Sequence, residues 1–161
     1  MEFRLAEEQD LKALAGIRGS DENSESRWFS RIFEYYNGTH SPQLALAPRV
    51  IIIAIDNLTI IGFIAGHLTQ RYDCDGELQW INIIPEHQGK GLATQLLLLL
   101  ADWFKEHKAK RICVNCASDN KVALNFYKKN GAVPINDYWL VWENIQQKFR
   151  TPVIDDCRPG N

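Results

Sequence analysis

Apolar residues recur along the chain at two spacings, and each spacing predicts one type of element. Strict alternation of apolar and polar residues over positions 2–5 is typical of a short first strand. Leu11, Leu14 and Arg18 fall three or four positions apart, which places them on one face of a helix. We expect this helix to run over residues 7–19.

A second helix, with an aromatic face, is expected to begin after Ser24 as its N-cap and to end at Asn37. Residues 39–49 contain two prolines and are predicted to form a loop, and long ordered loops often border a functional site. Apolar runs then predict a hairpin followed by a further strand. The three strands expected in this region are residues 50–55, 60–68 and 77–84.

The second half of the chain alternates between helix and strand. Residues 92–107 are apolar almost all round, so they predict a largely buried helix. Residues 120–129 predict another helix, which Asn130 and Gly131 should end. The remaining strands are expected at residues 112–117, 133–135 and 138–142.

The predicted order β-α-α-β-β-β-α-β-α-β-β indicates an α/β fold of the α+β type, with a mixed sheet of about seven strands and helices on both faces. One helix joins the strands at 77–84 and 112–117, and such a crossover should make them parallel and right-handed. The 161 residues fit one domain with one sizeable core, which we expect over residues 1–149, followed by a tail over residues 150–161.

Charge and hydropathy exclude some classes of partner. The net charge is −2 and no block of like charge stands out, so no nucleic-acid partner is expected. The longest apolar run, residues 96–101, is far shorter than the roughly 20 residues that span a bilayer, so no membrane association is expected. The N-terminus is charged and lacks a secretory signal, which predicts a cytoplasmic location.

Two of the four cysteines, Cys113 and Cys116, have the CxxC spacing of redox and zinc sites. They fall on a predicted strand, where residues three apart point to opposite faces. No second CxxC and no histidine pair completes a metal site. We therefore predict reduced packing cysteines and no metal.

The strongest chemical signal lies in residues 85–94, a glycine-bearing loop between a strand and a helix. Glycines let several backbone N–H groups converge, and the start of a helix adds unpaired N–H groups and a positive dipole end. The loop is therefore suited to a pyrophosphate. It lacks the frame of a P-loop, and Thr94 stands where the dinucleotide fingerprint has its third glycine. A simple glycine turn into a core helix is the alternative interpretation.

Gln88, Gly91 and Ala93 fill the fixed positions of the pattern Gln/Arg-x-x-Gly-x-Gly/Ala. This segment resembles the coenzyme A-binding motif of the GNAT N-acetyltransferase superfamily. A second family signature is Asn-x-x-Ala-x-x-x-Tyr-x-x-x-Gly-Phe, and the segment from Asn120 to Ala132 is similar to it except that Ala132 replaces the aromatic residue. The two motifs cover about residues 77–132.

The resemblance implies the GNAT acyl-CoA acyltransferase fold, with a mostly antiparallel sheet. It also implies an N-acetyltransferase that passes an acetyl group from acetyl-CoA, its co-substrate, to a primary amine of a small molecule or peptide. The amine would attack directly in a ternary complex. Domains of this type often form homodimers, so a homodimer is one expected assembly.

In this family the strand before the motif splays from its parallel neighbour, and the pantetheine arm lies in the resulting cleft. The resemblance therefore implies one set of residues for the arm and thioester and another for the pyrophosphate. The implied contacts are Ile81, Asn82, Ile83 and Asn120 for the arm, and Gln88, Gly89, Lys90, Gly91, Leu92, Ala93 and Thr94 around the pyrophosphate. Asn120 is also a candidate helix N-cap, and Lys90 is either a phosphate contact or a solvated side chain.

Tyr127 matches the family tyrosine near the thioester sulfur, which implies a general acid for the leaving thiolate. The alternative is a core tyrosine on an amphipathic helix. The amine must lose a proton to attack, and Glu77, at the start of the cofactor strand, is the candidate general base. The alternative for Glu77 is a solvent-exposed strand-end carboxylate. His67 and His87 are weaker candidates for the base.

The acceptor site is expected between the second helix, the 39–49 loop and the closing strands. Two functions from other classes remain open, namely a non-catalytic acyl-CoA-binding or sensor domain and a nucleotide-phosphate binder. The aromatic residues available to line the acceptor site, most of them expected in the core, are Trp28, Tyr35, Tyr36, Tyr138, Trp139 and Trp142.

Overall fold

A seven-stranded sheet organises the part of the chain that the computed structural model describes, residues 1–39, 42 and 44–146. The strands are β1 (Glu2–Leu5), β2 (Ala45–Asp56), β3 (Thr59–Thr69), β4 (Gly76–Ile83), β5 (Ile112–Asn115), β6 (Val133–Pro134) and β7 (Trp139–Trp142). The helices are α1 (Leu11–Arg18), α2 (Glu22–Asn37), α3 (Leu92–Glu106) and α4 (Lys121–Lys129), with short 3-10 turns at Glu8–Asp10, Arg71–Asp73 and Pro85–His87.

The strands lie in the order β1-β2-β3-β4-β5-β7-β6. Within the described residues β4 and β5 form the single parallel pair, and every other neighbouring pair is antiparallel. The predicted element order, the mixed and mostly antiparallel sheet and the parallel pair around α3 are therefore confirmed.

Each face of the sheet carries its own apolar core. On one face, α3 and α4 pack with Leu96, Leu97 and Leu100, all fully buried. On the other face, α1 and α2 pack against the sheet through side chains that include Leu11 and Tyr35. Burying one such leucine stabilises the fold by about 2 kcal/mol, so these layers fix where both helix pairs sit.

The prediction of a loop over residues 39–49 was wrong for its second half, because β2 begins at Ala45. Ala45 pairs with Thr69, the last residue of β3. Because β3 is this long, its pairing partner β2 starts earlier in the chain than the apolar run predicts. The register shifts between Leu46 and Arg49, and this irregularity accommodates Pro48 in the ladder. Residues 40, 41 and 43 of the predicted loop lie outside the described residues.

The N-cap of α2 is Asp21, so the prediction of Ser24 as N-cap was wrong. The Asp21 carboxylate accepts a hydrogen bond from Ser24 N at 2.8 Å, and Ser24 Oγ accepts one from Asp21 N at 3.2 Å. This reciprocal pair is a capping box in which serine replaces the more usual glutamate at the third position.

The cysteines pack on different faces of the sheet, as predicted. Cys113 packs with Cys74, whereas Cys116 belongs to the core beneath α3 and α4, and all three are buried free thiols. Cys157 and the predicted tail over residues 150–161 lie outside the described residues. No helix in the described ranges combines the length and hydropathy that a membrane span requires.

Candidate active site

The sheet opens between β4 and β5. Their parallel ladder contains three pairs and stops at Leu78 and Val114. Beyond that point β4 continues to Ile83 and pairs only with β3, while β5 pairs with β7. In the described structure, the second edge of β4 therefore presents backbone N–H and C=O groups without a strand partner. Such an edge can bind an extended molecule through its backbone groups.

A β-bulge accompanies the opening. Ala65 pairs with Trp80 and Gly66 pairs with Leu78, so Gln79 is an extra residue on β4. A bulge bends its strand and increases the local twist, which turns the rest of β4 away from β5. The extra residue also places Glu77 and Trp80 on the same face of the sheet, the face covered by α1 and α2.

The loop after β4 exposes backbone amides. Gly89 and Gly91 adopt positive φ angles of 75° and 83°, and a Cβ at either position would meet nothing within 4 Å. No described backbone hydrogen bond uses the amides of residues 89–91, and Gly91 begins α3 without a side-chain cap. Unpaired amides at the positive end of a helix form an anion site.

Two side chains hold this loop in place. Gln88 Nε2 donates to the carbonyl of Ile83 at 2.8 Å, which ties the loop to the end of β4. His87 Nε2 lies 3.3 Å from Asp56 Oδ2 and links the loop to the β2–β3 turn. The exposed Lys90 side chain projects from the middle of the loop.

A second helix start faces the same edge of the sheet. Since β4 and β5 are parallel, the helices that follow them begin at the carboxyl ends of neighbouring strands, where ligands of α/β sheets bind. Asn120 Oδ1 accepts from Ala123 N at 3.3 Å, so its predicted role as the N-cap of α4 is confirmed.

Tyr127 is buried on α4, with 5% of its surface exposed. Its ring packs edge-to-face against Trp142, with centroids 5.9 Å apart. Burial raises the pKa of the phenol, the nearby Cys116 raises it further, and Arg18 opposes the rise. The hydroxyl makes no hydrogen bond with a described residue, so Tyr127 is both a core side chain and a neutral phenol with a proton to donate.

Glu77 lies in a buried polar chain that crosses the α1/α2 face. Its Oε1 is 3.2 Å from Arg71 Nε and 3.6 Å from His67 Nε2. His67 is fully buried, and its Nδ1 lies 2.8 Å from the hydroxyl of Tyr35. Glu77 is 5% exposed, so the alternative of a solvent-exposed carboxylate was wrong. Its Oε2 has no hydrogen-bond partner among the described residues.

Sequence reasoning missed Arg18, the last residue of α1. Its guanidinium lies 4.2 Å from the ring centroid of Trp28 and donates a hydrogen bond to the side-chain oxygen of Asn82 on β4. The sequence did contain a signal for it. Arg18 lies on the same helix face as Leu11 and Leu14, where an apolar residue would be expected, so a charged residue there suggests a function.

The predicted acceptor aromatics divide by burial. Trp142 and Tyr35 are fully buried, whereas Tyr36 and Tyr138 are exposed. Trp28 is half-buried and contacts Arg18, whose guanidinium bonds to Asn82 on β4. A concavity of about 690 Å³ lies elsewhere, between the end of β3 and the end of α3, and shares no residue with the loop or Tyr127.

The sequence resembles known acetyltransferases. It is 31% identical over 83 residues to the uncharacterized N-acetyltransferase YobR of Bacillus subtilis, a match that covers 52% of this chain and 32% of YobR. It is 28% identical over 105 residues to N-alpha-acetyltransferase 30 of Schizosaccharomyces pombe, covering 64% of this chain and 70% of that protein. The chain thus spans about a third of the length of the first relative.

The fold is shared with a solved structure. The PaiA N-acetyltransferase of Thermoplasma acidophilum, crystallised in complex with coenzyme A, superposes with a TM-score of 0.67 at 19% identity, over 89% of this chain and 98% of that one. The sequence model of the acetyltransferase (GNAT) family matches residues 17–132, which include the opened strand, the glycine loop and Tyr127. The chain therefore belongs to the GNAT family of acetyltransferases.

Proposed function

We propose that this protein transfers an acetyl group from acetyl-CoA to a primary amine of a small molecule or peptide, by direct attack in a ternary complex. One observation carries the proposal. Within the described part of the chain, the unpaired edge of β4 leads directly into a loop whose amides, at residues 89–91, have no backbone partner. An extended chain that ends in a pyrophosphate fits such a surface, because the edge binds amide groups and the loop binds the anion.

The residues present fit coenzyme A. The backbone of Ile81, Asn82 and Ile83 would hold the pantetheine arm, with a strand N–H aimed at the thioester carbonyl as an oxyanion donor. The amides of residues 89–94 would hold the pyrophosphate, and Asn120 would contact the arm from the start of α4. When bound, acetyl-CoA supplies the acetyl group as a thioester. Gln88 acts indirectly, by fixing the loop to Ile83.

Glu77 serves as the general base. A lysine-type amine has a pKa of about 10.4 and is mostly protonated at neutral pH, so it must lose a proton before attack. Arg71 orients the Glu77 carboxylate by donating to Oε1, and the His67 ring lies 3.6 Å from the same oxygen, which leaves Oε2 to accept that proton directly or through water. Tyr35 completes the chain by fixing the ring of His67.

Tyr127 serves as the general acid. As the amine nitrogen forms its bond to the acetyl carbon, the carbon–sulfur bond breaks and the sulfur takes the proton of the Tyr127 phenol. Glu77 holds the proton that the ammonium form lost before attack. The nitrogen loses its second proton to the Tyr127 phenolate, directly or through water, as the amide forms, and Glu77 releases its proton to solvent, so both side chains return to their starting states. The raised pKa of Tyr127 keeps the phenol protonated until the thiolate appears.

Release of coenzyme A thiol from acetyl-CoA, measured over a panel of amines, tests the proposal. We expect thiol release that depends on the amine, with mass spectrometry showing one added acetyl group on the acceptor. Calorimetric titration with coenzyme A checks the binding step separately. Binding without product on any amine would indicate an acyl-CoA-binding domain, and a melting temperature raised by ATP or NAD but not by coenzyme A would indicate a nucleotide site.

A further inference from the structure

Arg18 stands at the opening of the sheet on the α1/α2 face. Its guanidinium stacks on Trp28 at 4.2 Å and lies 5.5 Å from the ring centroid of Trp80. A hydrogen bond to the Asn82 side chain joins it to the strand whose free edge would hold the thioester. Three contacts from two elements, α2 and β4, therefore hold the guanidinium in one place, which is how a recognition arginine is pre-organised.

This cation has no counter-ion among the residues that the structure describes. No carboxylate of the described residues lies within ion-pairing distance of Arg18, and its Nε is buried without a hydrogen-bond partner. Glu25 of α2 packs against Gly16, with Oε1 3.5 Å from where a Cβ on that glycine would be. Arg31 adds a second positive charge, 5.4 Å from the ring of Trp28.

The surroundings make an anion favourable at this point. Loss of hydration, with a smaller contribution from the charge of Arg31, lowers the pKa of Arg18 to about 10, yet the guanidinium stays charged at neutral pH. A desolvated cation without a partner is costly, and a carboxylate that accepts two parallel N–H bonds offsets that cost. Arg18 is therefore an oriented guanidinium that has no carboxylate partner among the described residues.

The Arg18 guanidinium lies beside the groups proposed to react. Arg18 contacts Asn82 on the free strand and is near enough to Tyr127 for its charge to act on that phenol. Resting on the proposed N-acetyl transfer, we propose that the acceptor is an amine that also carries a carboxylate, such as an amino acid, and that Arg18 binds this carboxylate. Polyamines and other purely cationic acceptors would meet Arg18 and Arg31 and be repelled.

Matched acceptors test this inference. A series of amino acids with increasing separation between amine and carboxylate is compared with the corresponding methyl esters, which keep the amine and lose the charge. We expect kcat/KM for the best amino acid to exceed that of its ester by about tenfold or more, the scale of a charge-assisted bidentate contact. Equal rates for acid and ester, or faster ester turnover, would overturn the proposal.

Two variants assign the effect to Arg18. R18Q should lower kcat/KM for the amino acid about tenfold or more and change that for the ester less than about twofold, with the Kd for coenzyme A unchanged. R18K, which keeps the charge but not the planar fork, should recover part of the loss. R27Q, on an exposed arginine of α2, should match the wild type. Equal losses on both acceptors, or weaker coenzyme A binding in R18Q, would overturn the assignment.

A binding readout separates this inference from the proposed transfer. In the presence of coenzyme A, the N-acetylated amino acid should raise the melting temperature of the wild type and not that of R18Q. If no amine is acetylated but this Arg18-dependent shift is seen, the transfer proposal fails while the carboxylate site stands. If amines are acetylated but the wild type shows no shift, the carboxylate site fails alone.

Discussion

Single side chains at this site combine packing with chemistry. Tyr127 fills the core beneath α4, and its hydroxyl makes no hydrogen bond with a described residue. Glu77 lies at the centre of a buried polar chain that runs from Tyr35 through His67 to Arg71. The match to the second family signature predicted a role for Tyr127 at the site. The place of Glu77 at the start of β4 predicted a role as the base, but nothing in the sequence showed that His67 and Arg71 flank it.

The phenol of Tyr127 is predicted to matter for turnover and not for cofactor binding. Tyr127→Phe keeps the ring and its packing on Trp142 but removes the proton, so kcat should fall about 100-fold while the Kd for coenzyme A changes less than about twofold. Thiol-release assays measure kcat, and calorimetry measures the Kd for coenzyme A. Tyr138→Phe, on an exposed tyrosine, is the matched control. Wild-type turnover in Tyr127→Phe would remove the acid role.

The carboxylate of Glu77 is predicted to set the pH dependence. Glu77→Gln keeps the shape and removes the base, so kcat/KM should fall about 100-fold near neutral pH and recover as the pH rises and free amine becomes available. A purely structural role would not be rescued by alkaline pH. Glu106→Gln, on an exposed residue at the end of α3, should keep the wild-type profile. An unaltered profile in Glu77→Gln would exclude it as the base.

At the scale of elements, a bulge and a loop create the site. The extra residue Gln79 turns β4 away from β5. Gly89 and Gly91, both with positive φ angles, leave the backbone amides before α3 exposed. The loop was predictable because glycine is readable in the sequence and its consequence is local. The bulge was not, because it is defined only by pairing between β4 and β3, residues that the sequence places more than ten positions apart.

Gly91 is predicted to be required for coenzyme A and dispensable for folding. Gly91→Trp would place a large side chain over the exposed amides, in space that is open in the protein, and should weaken coenzyme A binding at least about 100-fold. Gly38→Trp is a matched control, since Gly38 also has a positive φ, 78°, with open space around it. Both should lose about 1–2 kcal/mol of stability from the left-handed backbone. Unchanged binding in Gly91→Trp would exclude the loop as the pyrophosphate site.

At the scale of the whole molecule, one sheet separates two cores and brings both to a common opening. The α3/α4 face supplies Tyr127, and the α1/α2 face supplies Arg18 and Glu77. The N-terminal segment closes the second face, because the Arg4 guanidinium donates two hydrogen bonds, of 2.8 and 3.1 Å, to the buried carboxylate of Asp10. These bonds join β1 to the turn that starts α1.

This closure should weaken in acid. The hydrogen bond from Arg4 holds the pKa of Asp10 below its usual range, so its stabilising effect is full above the unfolded pKa of about 3.9 and is lost as the pH falls through the folded value. Asp10→Asn should lower the melting temperature at pH 7 by about 2–6 °C, and the difference should shrink toward pH 3. Circular dichroism melts measure it, with Glu8→Gln as an exposed control. A difference independent of pH would contradict the linkage.

The sequence by itself determined the order of elements, the mixed sheet, the glycine loop before α3 and the place of Tyr127 on α4, because each depends on spacing or on glycine within a short stretch of chain. Only the tertiary structure decided that β2 begins at Ala45, that Glu77 is buried, and that Arg18 contacts Asn82 without a counter-ion among the described residues. Those properties arise where residues far apart in the chain come into contact. Burial and pairing at such places depend on which helices and strands the sheet brings together, and a short stretch of sequence does not contain that information.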